Sequence, residues 1–159
     1  MKKLKYKIIQ TAVGSLKIVV NNKALVAVLW DNERVGRVNL NDLEEDENDE
    51  LLKEVEKQLK EYFSCKRNIF DLPLETMGTP FQKAVWEMIY QIPYGSICAY
   101  KDIAQNVGKP LAVRAVGTAI GRNPISIIIP CHRVIASNGS LAGFAGGLVR
   151  KKILLDLER

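Results

Sequence analysis

Three consecutive isoleucines followed by a proline constrain the fold of this chain more than any other stretch. Residues 127–129 favour a buried strand, because stiff β-branched side chains pack well on a pleated sheet. Pro130 predicts the end of that strand, since proline cannot donate to a sheet ladder. Cys131 and His132 follow, and His132 is the single histidine of the chain. Because an imidazole that titrates near neutrality can remove the proton of a thiol, the pattern predicts a nucleophilic cysteine after a buried strand.

The basic charge of the chain is concentrated in its second half. The 159 residues carry a net charge of +5. Residues 79–159 hold ten Lys and Arg against four Asp and Glu, a net charge of +6, whereas residues 1–78 hold thirteen against fourteen, a net charge of −1. This bias fits a polyanionic partner such as nucleic acid, and a solvated basic face explains it equally well.

The sequence favours a cytoplasmic protein that needs no membrane, metal or other cofactor. No run approaches the roughly 18 apolar residues that span a bilayer, and the basic start, residues 1–7, is followed by no small-residue cleavage site. Three cysteines, Cys65, Cys98 and Cys131, are widely spaced and odd in number, which favours a reducing compartment over disulfides. One histidine and three scattered cysteines give no metal-ligand spacing, so we expect no zinc site.

Residues 1–74 predict a small α/β lobe with a structural role. Three segments between residues 4 and 30 are rich in Val, Ile, Leu and aromatic residues and are separated by turn signals, which indicates a three-stranded antiparallel sheet. Residues 31–48 are polar and acidic without an apolar period and predict a surface loop. From residue 49 to 63 apolar side chains recur at helical spacing, so we expect a helix that packs on the sheet.

A second, mostly helical lobe is predicted over residues 79–159, after a connector at 65–78. Its first helix has a strong start signal. Thr79 can cap the helix, Pro80 suits the first helical position, and Gln82 completes a capping box. We expect this helix to run to about residue 90.

Two short helices joined by a glycine-containing turn are predicted next. They cover residues 100–107 and 111–121, with Gly108 closing the first in left-handed geometry and Pro110 opening the second. This arrangement matches a helix-turn-helix, although such a pair can also serve only to pack a core. Arg114 is the one charged side chain of the second helix. Bound DNA would therefore be recognised by shape and charge, with little dependence on base sequence.

A glycine-rich loop and a final helix close the second lobe. Gly143, Gly146 and Gly147 let loop 139–147 approach a ligand without side-chain obstruction. A helix is predicted over residues 148–157, and Glu158 lies at its end. Four apolar side chains of this helix are available for packing, namely Leu148, Ile153, Leu154 and Leu157.

The second half of the chain resembles the O6-alkylguanine-DNA alkyltransferase family, also called methylated-DNA–protein-cysteine methyltransferases. The resemblance covers roughly residues 79–159, and the first lobe is similar only in outline. It rests on Tyr100, Arg114-Ala115-Val116-Gly117, Arg122-Asn123-Pro124, Ile129-Pro130-Cys131-His132-Arg133-Val134, Gly146-Gly147-Leu148 and Glu158. It implies an α/β (α+β) fold, with a ribonuclease H-like N-terminal lobe and a winged-helix-like helix-turn-helix in the C-terminal lobe.

The resemblance also implies an activity, which is DNA repair by direct reversal of damage. The expected reaction is an irreversible, stoichiometric transfer of a methyl or larger alkyl group from O6-alkylguanine to Cys131, which becomes S-alkylcysteine. O4-alkylthymine is a candidate second substrate. The expected partner is double-stranded DNA with the damaged nucleotide flipped out, bound by a monomer with little sequence specificity.

The family motifs assign roles to individual residues of this chain. Cys131 would attack the alkyl carbon, with His132 as a base acting through a water and Glu158 orienting the imidazole. Asn123 would hold the segment that leads to the active site, and Arg133 would be a structural ion-pair partner. The expected catalytic set is Cys131, His132, Glu158, Asn123 and Tyr100.

The family motifs also predict the surfaces that contact DNA and the damaged base. Arg114 would fill the gap left in the base stack, and Tyr100 would help rotate the phosphate and bind the flipped base. The expected DNA-contacting set is Tyr100, Lys101, Lys109, Arg114 and Ser137. The expected substrate pocket comprises Val134, Phe144, Ala145 and Gly146. Many relatives have tyrosine and serine where this chain has Phe144 and Ala145, which leaves the substrate preference open.

Three other functions fit parts of the pattern. A non-catalytic helix-turn-helix protein that binds DNA or regulates transcription is the main alternative, and the scarcity of base-reading side chains argues against it. Alkyltransferase-like proteins bind lesions but lack the cysteine, so Cys131 argues against that class. A cysteine hydrolase would need direct contact between Cys131 and His132, which adjacent residues in a helical turn do not readily make.

Overall fold

The computed structural model describes residues 3–34, 36–139 and 144–159 of the chain. The chain divides into two compact units, the N-terminal unit Met1–Thr76 and the C-terminal unit Met77–Arg159. Within the described ranges, no helix combines the length and the apolar character that crossing a membrane requires.

A sheet and a packed helix form the N-terminal unit. The strands are β1 (Leu4–Thr11), β2 (Gly14–Val20), β3 (Leu25–Trp30) and β4 (Leu43–Glu45), in the spatial order β3-β2-β1-β4. The first three strands are antiparallel neighbours, as predicted. At the turn into β3, Oδ1 of Asn21 accepts hydrogen bonds from the backbone N–H groups of Lys23 and Ala24, both at 2.7 Å.

The sheet has one strand more than the sequence indicates. β4 pairs in parallel with β1, with Leu4 opposite Leu43, so a fourth strand joins the three antiparallel strands and the predicted strand count was wrong. The prediction of a loop over the whole of residues 31–48 was wrong for the same reason. Leu43 is half-buried and the other two residues of the strand are exposed, so a three-residue edge strand gives no alternation to detect. Short, charged edge strands of this kind also discourage pairing with other chains.

Helix α1 (Glu50–Phe63) has the start and the buried face that its sequence predicts. The side chain of Asp49 caps the helix by accepting a hydrogen bond from the backbone N–H of Leu52 at 3.0 Å. The apolar face packs on β1 and β2. Its buried apolar side chains are Leu52, Val55, Leu59 and Tyr62.

Four helices and a small parallel ladder make up the described part of the C-terminal unit. In order, they are α2 (Pro80–Tyr90), β5 (Cys98–Ala99), α3 (Tyr100–Asn106), α4 (Val113–Gly121), β6 (Val134–Ile135) and α5 (Leu148–Leu157). The predicted capping box at the start of α2 is confirmed, since Thr79 and Gln82 exchange side-chain to backbone hydrogen bonds. β5 pairs with β6, which places the start of α3 next to the segment that follows Cys131.

Helices α3 and α4 form the predicted helix-turn-helix. Gly108 has a φ of +78° and lies just after α3, where left-handed geometry favours glycine. The indole Nε1 of Trp86 donates a buried hydrogen bond of 2.8 Å to the carbonyl of Ala119, which fastens α4 to α2. The predicted opening of the second helix at Pro110 was wrong. A turn closed by a 2.9 Å bond from the N–H of Ala112 to the carbonyl of Lys109 comes first.

The predicted strand at residues 127–129 is a buried turn. The backbone N–H of Ile128 donates to the carbonyl of Ser126 at 2.9 Å, and Ile127 has a φ of +74°. All three isoleucines are buried. Branched apolar residues therefore marked the burial of this segment correctly, but burial does not distinguish a strand from a turn whose shape is imposed by its surroundings.

Candidate functional site

The turn that leads to Cys131 is held by the side chain of Asn123, which is buried. Nδ2 of Asn123 donates to the carbonyl of Ile129 at 2.8 Å, and its Oδ1 accepts from the N–H of Ile125 at 3.0 Å. These two bonds close the irregular segment between α4 and the cysteine. The geometry places Asn123 where the family motif expects a holding residue.

Cys131 begins a single turn of 3₁₀ helix that also contains His132 and Arg133. All three residues are buried, with Cys131 only 3% exposed. The backbone N–H of Cys131 donates to the carbonyl of Ile129 at 2.8 Å, and the N–H of Arg133 donates to the carbonyl of Pro130 at 2.9 Å. Pro130 therefore lies at the start of this turn, and does not end a strand.

A buried carboxylate joins the two basic side chains that follow Cys131. Oε2 of Glu158 lies 2.7 Å from Nε2 of His132. Arg133 donates from Nε to Oε1 at 2.8 Å and from Nη2 to Oε2 at 3.0 Å, and its Nη1 donates to the carbonyl of Ile92 at 2.6 Å. Glu158 is thus buried at the end of α5. Arg133 has the ion-pair geometry that the sequence resemblance implies.

The hydrogen bonds define which nitrogen of His132 can act as a base. A carboxylate only accepts, so Nε2 carries the hydrogen in the neutral imidazole and Nδ1 has the lone pair. Nδ1 is buried and has no hydrogen-bond partner among the described residues. Burial lowers the pKa of His132 from its usual 6.5, the bond to Glu158 opposes this, and the charges of Arg133 and Lys151 lower it further. The net direction favours a neutral ring with an available Nδ1.

Lys151 is a member of the site that the sequence analysis missed. Its side chain is 0% exposed, and its Nζ donates to the carbonyl of Val134 at 2.7 Å. Burial lowers the pKa of Lys151, and the charge of Cys131 raises it, so the ammonium lies within electrostatic reach of the thiol. Helical spacing offered a signal, because Lys151 lies seven residues before Glu158 and so shares its face of α5.

The packing face predicted for α5 was partly wrong. Leu154 is fully buried as expected, whereas Leu148 and Ile153 are exposed by 49% and 38%. The inward face is formed by Lys151 and Leu154, with Glu158 after the helix. Hydrophobicity alone selected the wrong side chains, because the site places charged groups inward.

Tyr100 occupies the first position of α3, and its hydroxyl is electrostatically coupled to Cys131. Its side chain is half-buried. Burial raises the pKa of the Tyr100 hydroxyl, and the charge of Cys131 raises it as well. The hydroxyl therefore stays protonated at neutral pH and can donate a hydrogen bond.

The predicted pocket residues differ in exposure. Val134 and Gly146 are buried, and Phe144 and Ala145 are half-buried. The ring of Phe144 packs edge to face against His132, with centroids 6.5 Å apart. Gly143, which the sequence analysis also placed in this loop, lies outside the described residues.

The predicted DNA-contacting side chains lie at the surface, apart from Tyr100. Lys101, Lys109, Arg114 and Ser137 are all exposed. The hydroxyl of Thr118 donates back to the carbonyl of Arg114 at 3.2 Å, so it is engaged within α4. Among the described residues, no group of three or more His, Cys, Asp or Glu side chains is arranged to hold a metal ion.

A helix-turn-helix is followed by a turn that Asn123 holds and by a buried thiol, and His132, the next residue, is bonded to Glu158. These features together indicate a class of proteins that combine DNA binding with cysteine chemistry. Comparison with known proteins narrows the class. Residues 80–159 match the DNA binding domain of 6-O-methylguanine DNA methyltransferase, and residues 4–76 match its ribonuclease-like domain. The chain belongs to the 6-O-methylguanine DNA methyltransferase family.

Individual relatives support this assignment along the whole chain. A methylated-DNA–protein-cysteine methyltransferase of Methanosarcina barkeri is 46% identical over 157 residues, with 96% of each chain covered. One from Mycolicibacterium paratuberculosis is 38% identical over 161 residues, with 98% of this chain and 93% of the relative covered. The crystal structure of Mycobacterium tuberculosis OGT in complex with DNA has a TM-score of 0.89 at 38% identity and covers 97% of this chain and 92% of that one. The family and the α/β fold class predicted from the sequence are confirmed.

Proposed function

We propose that this protein repairs double-stranded DNA by moving an alkyl group from O6 of guanine to Sγ of Cys131. One observation carries the proposal. His132 directly follows the buried cysteine, and its Nε2 is hydrogen-bonded to Glu158. The other ring nitrogen, Nδ1, is buried, has a lone pair, and has no hydrogen-bond partner among the described residues. This is the arrangement that a base needs in order to take a proton from a nearby thiol through a water.

The proposed step conserves atoms and charge. The thiol proton passes through water to Nδ1 of His132, and the thiolate of Cys131 attacks the alkyl carbon. A sulfur–carbon bond forms while the carbon–O6 bond breaks, and its electron pair goes to the departing base. His132 then releases the thiol proton, which reaches N1 of the departing nucleobase through water, so the products are S-alkylcysteine, guanine and a neutral imidazole. A thioether has no good leaving group, so each protein molecule acts once.

Lys151 and Tyr100 act on opposite ends of this displacement. The buried ammonium of Lys151 is electrostatically coupled to Cys131 and favours its thiolate form. The protonated hydroxyl of Tyr100, whose pKa is raised by burial, can donate to the base as negative charge develops on it. Phe144 and Ala145, both half-buried, are proposed as pocket walls.

The helix-turn-helix is proposed to present the damaged nucleotide to the pocket. O6 takes part in base pairing, so the nucleotide has to be flipped out of the duplex, at a cost of roughly a few kcal/mol. Arg114 is exposed on α4 and is proposed to occupy the vacated place in the stack. Lys101, Lys109 and Ser137 are exposed and are proposed to contact the DNA backbone without reading sequence.

We infer further that the protein works as a monomer in the reducing cytoplasm. The residues of the proposed reaction all belong to the C-terminal unit of one chain, so no second copy has to contribute. The chemistry requires a reduced thiol, and none of Cys65, Cys98 and Cys131 forms a disulfide. Light scattering of the protein with and without a short duplex tests the inference, and a dimer that forms before reaction would contradict it.

Restoration of a blocked restriction site tests the proposed function from the DNA side. A duplex whose cleavage site contains O6-methylguanine resists the restriction enzyme, and an equimolar amount of the protein is expected to restore cleavage. Cys131→Ser should still retain the duplex in a gel-shift assay but leave the site blocked. Cys65→Ser, which alters an exposed thiol of the N-terminal unit, is the matched control and should restore cleavage fully. Repair by Cys131→Ser would overturn the proposal.

A further inference from the structure

Leu111 is the most exposed large apolar side chain of the C-terminal unit among the described residues. It lies in the turn before α4 and is 99% exposed. Val113, the first residue of α4, is 39% exposed. Leu111 lies three residues before Arg114, and Val113 lies next to it. The start of α4, here called the tip (residues 111–114), therefore presents an aliphatic surface beside one cation. An isolated exposed leucine needs no explanation, whereas one next to the proposed stack-filling arginine does.

The tip of α4 is poorly equipped to read bases in the major groove. Readers of that groove present several donors or acceptors to base edges. Here Ala112 and Ala115 are small, and the hydroxyl of Thr118 is already bonded to the carbonyl of Arg114. Minor-groove proteins instead insert apolar side chains between base steps, partly unstack them and bend the duplex. An exposed leucine is one of the side chains that serve this purpose.

The charge around the tip identifies its partner as DNA. Lys109 is exposed two residues before Leu111, and Lys101 and Arg122 are exposed on α3 and after α4. Residues 79–159 carry a net charge of +6, with ten Lys and Arg against four Asp and Glu. A partner protein would match the aliphatic tip but not the surrounding cations, whereas a polyanionic duplex matches both.

We propose that Leu111 enters the minor groove as an apolar wedge and unstacks the base step next to the nucleotide that Arg114 replaces. This inference rests on the proposed repair function and assigns to Leu111 a contact with the substrate DNA. The wedge weakens stacking on one side of the damaged nucleotide, and Arg114 fills the space once that nucleotide has left. Two side chains three residues apart thus divide the work of extrusion.

Fluorescence of 2-aminopurine beside the lesion tests the wedge directly, because this base brightens when it is unstacked. The experiment uses Cys131→Ser, so that the duplex is bound and not consumed. Binding of this variant is expected to brighten 2-aminopurine on one side of O6-methylguanine. Adding Leu111→Ala should remove most of the increase at saturating protein. Ile69→Ala, which removes an aliphatic side chain that is 79% exposed in the N-terminal unit, should leave the signal unchanged. An unchanged signal with Leu111→Ala overturns the wedge.

Repair rates separate a wedge from a charge effect and from failure of the proposed function. With Cys131 intact, Leu111→Ala should react about tenfold more slowly with duplex, and at the wild-type rate with free O6-benzylguanine. The slope of log binding constant against log salt should not change, since no cation is removed. Leu111→Met should keep most of the wild-type rate. Wild-type rates for Leu111→Ala on duplex refute the wedge alone, whereas a wild-type protein that repairs nothing refutes the proposed function.

Discussion

The two units of the chain differ in how far their charged side chains are exposed to solvent. In the N-terminal unit the ion pairs are exposed or partly exposed, as in Lys3–Glu44 and Lys7–Glu56, and Arg37 is the one buried charged residue among those described. The C-terminal unit buries four titratable side chains close to Cys131, namely His132, Arg133, Lys151 and Glu158. Desolvation makes such clusters expensive, and apolar side chains of similar volume often stabilise a core more.

The difference suggests that the charges of the N-terminal unit are placed for stability and those of the C-terminal unit for chemistry. Apart from Arg37, which is buried and paired with Glu33, the described part of the N-terminal unit follows the usual rule that charged side chains contact water and apolar faces pack together. The C-terminal unit departs from that rule where a thiol must lose a proton and a base must stay neutral. Burial lowers the pKa of His132, and this shift favours the neutral imidazole that can accept a proton near neutral pH.

The same substitution in the two units should have very different effects on stability. Glu158→Gln leaves the buried Arg133 without its counter-charge and is expected to cost about 3–5 kcal/mol in the free energy of unfolding. Glu56→Gln breaks a partly exposed pair with Lys7 and should cost less than about 1 kcal/mol. Urea denaturation followed by circular dichroism measures both. Equal losses would mean that the buried cluster has no special energetic role.

Removal of the His132 imidazole should slow alkyl transfer equally whether the substrate is duplex DNA or a free base. His132→Gln is expected to react about 100-fold more slowly at neutral pH, because no neutral imidazole remains to take the thiol proton. The fall should be similar with duplex and with free O6-benzylguanine. Asn21→Ala, which removes a buried amide of the N-terminal unit, should lower stability and leave the rate per folded molecule unchanged. Stopped-flow alkyl transfer would show the difference, and a normal rate for His132→Gln would exclude the imidazole as base.

Removal of the Arg114 side chain should slow the reaction only when the substrate is duplex DNA. Arg114→Ala is expected to react at least about tenfold more slowly with duplex, since the flipped state loses its substitute in the stack. Reaction with free O6-benzylguanine should be unaffected. Arg34→Ala changes the net charge equally at an exposed position of the N-terminal unit and serves as the control. If both substrates slow equally with Arg114→Ala, the arginine has a structural role.

The units should also lose stability in different pH windows. His132 has a lowered pKa in the folded state, so between that value and 6.5 the unfolded chain binds a proton that the native one does not. Stability therefore falls as pH decreases below 6.5, by up to about 1.4 kcal/mol per pH unit. Glu56, whose pKa is lowered chiefly by Lys7, contributes stability that is lost only below its usual 4.5. His132→Asn should remove the pH dependence of stability just below pH 6.5 and leave the dependence below pH 4.5 unchanged. Urea unfolding midpoints measured at a series of pH values test this.

Much of the fold could be predicted because its local signals agree with its packing. The capping box at Thr79, the asparagine turn at Asn21 and the apolar period of α1 all describe structure that neighbouring residues decide. β4 could not be predicted, because its pairing with β1 is non-local and its side chains show no alternation. The turn at Ile127 was misread because isoleucine rarely adopts a positive φ, and the hydrogen bonds of Asn123 that flank it are not visible in the sequence.

The site shows the same division between motif and packing. Cys131, His132 and Glu158 were recognisable from a motif and from the end of a helix. Lys151 was not, because a lysine in an amphipathic helix is expected to face water. Its burial agrees with the inward position of Glu158, seven residues later on the same face of α5, and this spacing was not used in the prediction.

Intact-mass analysis shows whether Cys131 is a single-use alkyl acceptor. The protein is mixed with a large excess of duplex that carries one O6-methylguanine per molecule, and then weighed and mapped by peptide fragmentation. We expect one added methyl group per protein, located on Cys131, and an amount of repaired duplex equal to the amount of protein. Repair of more lesions than there are protein molecules, or methylation at Cys65 or Cys98, would contradict it.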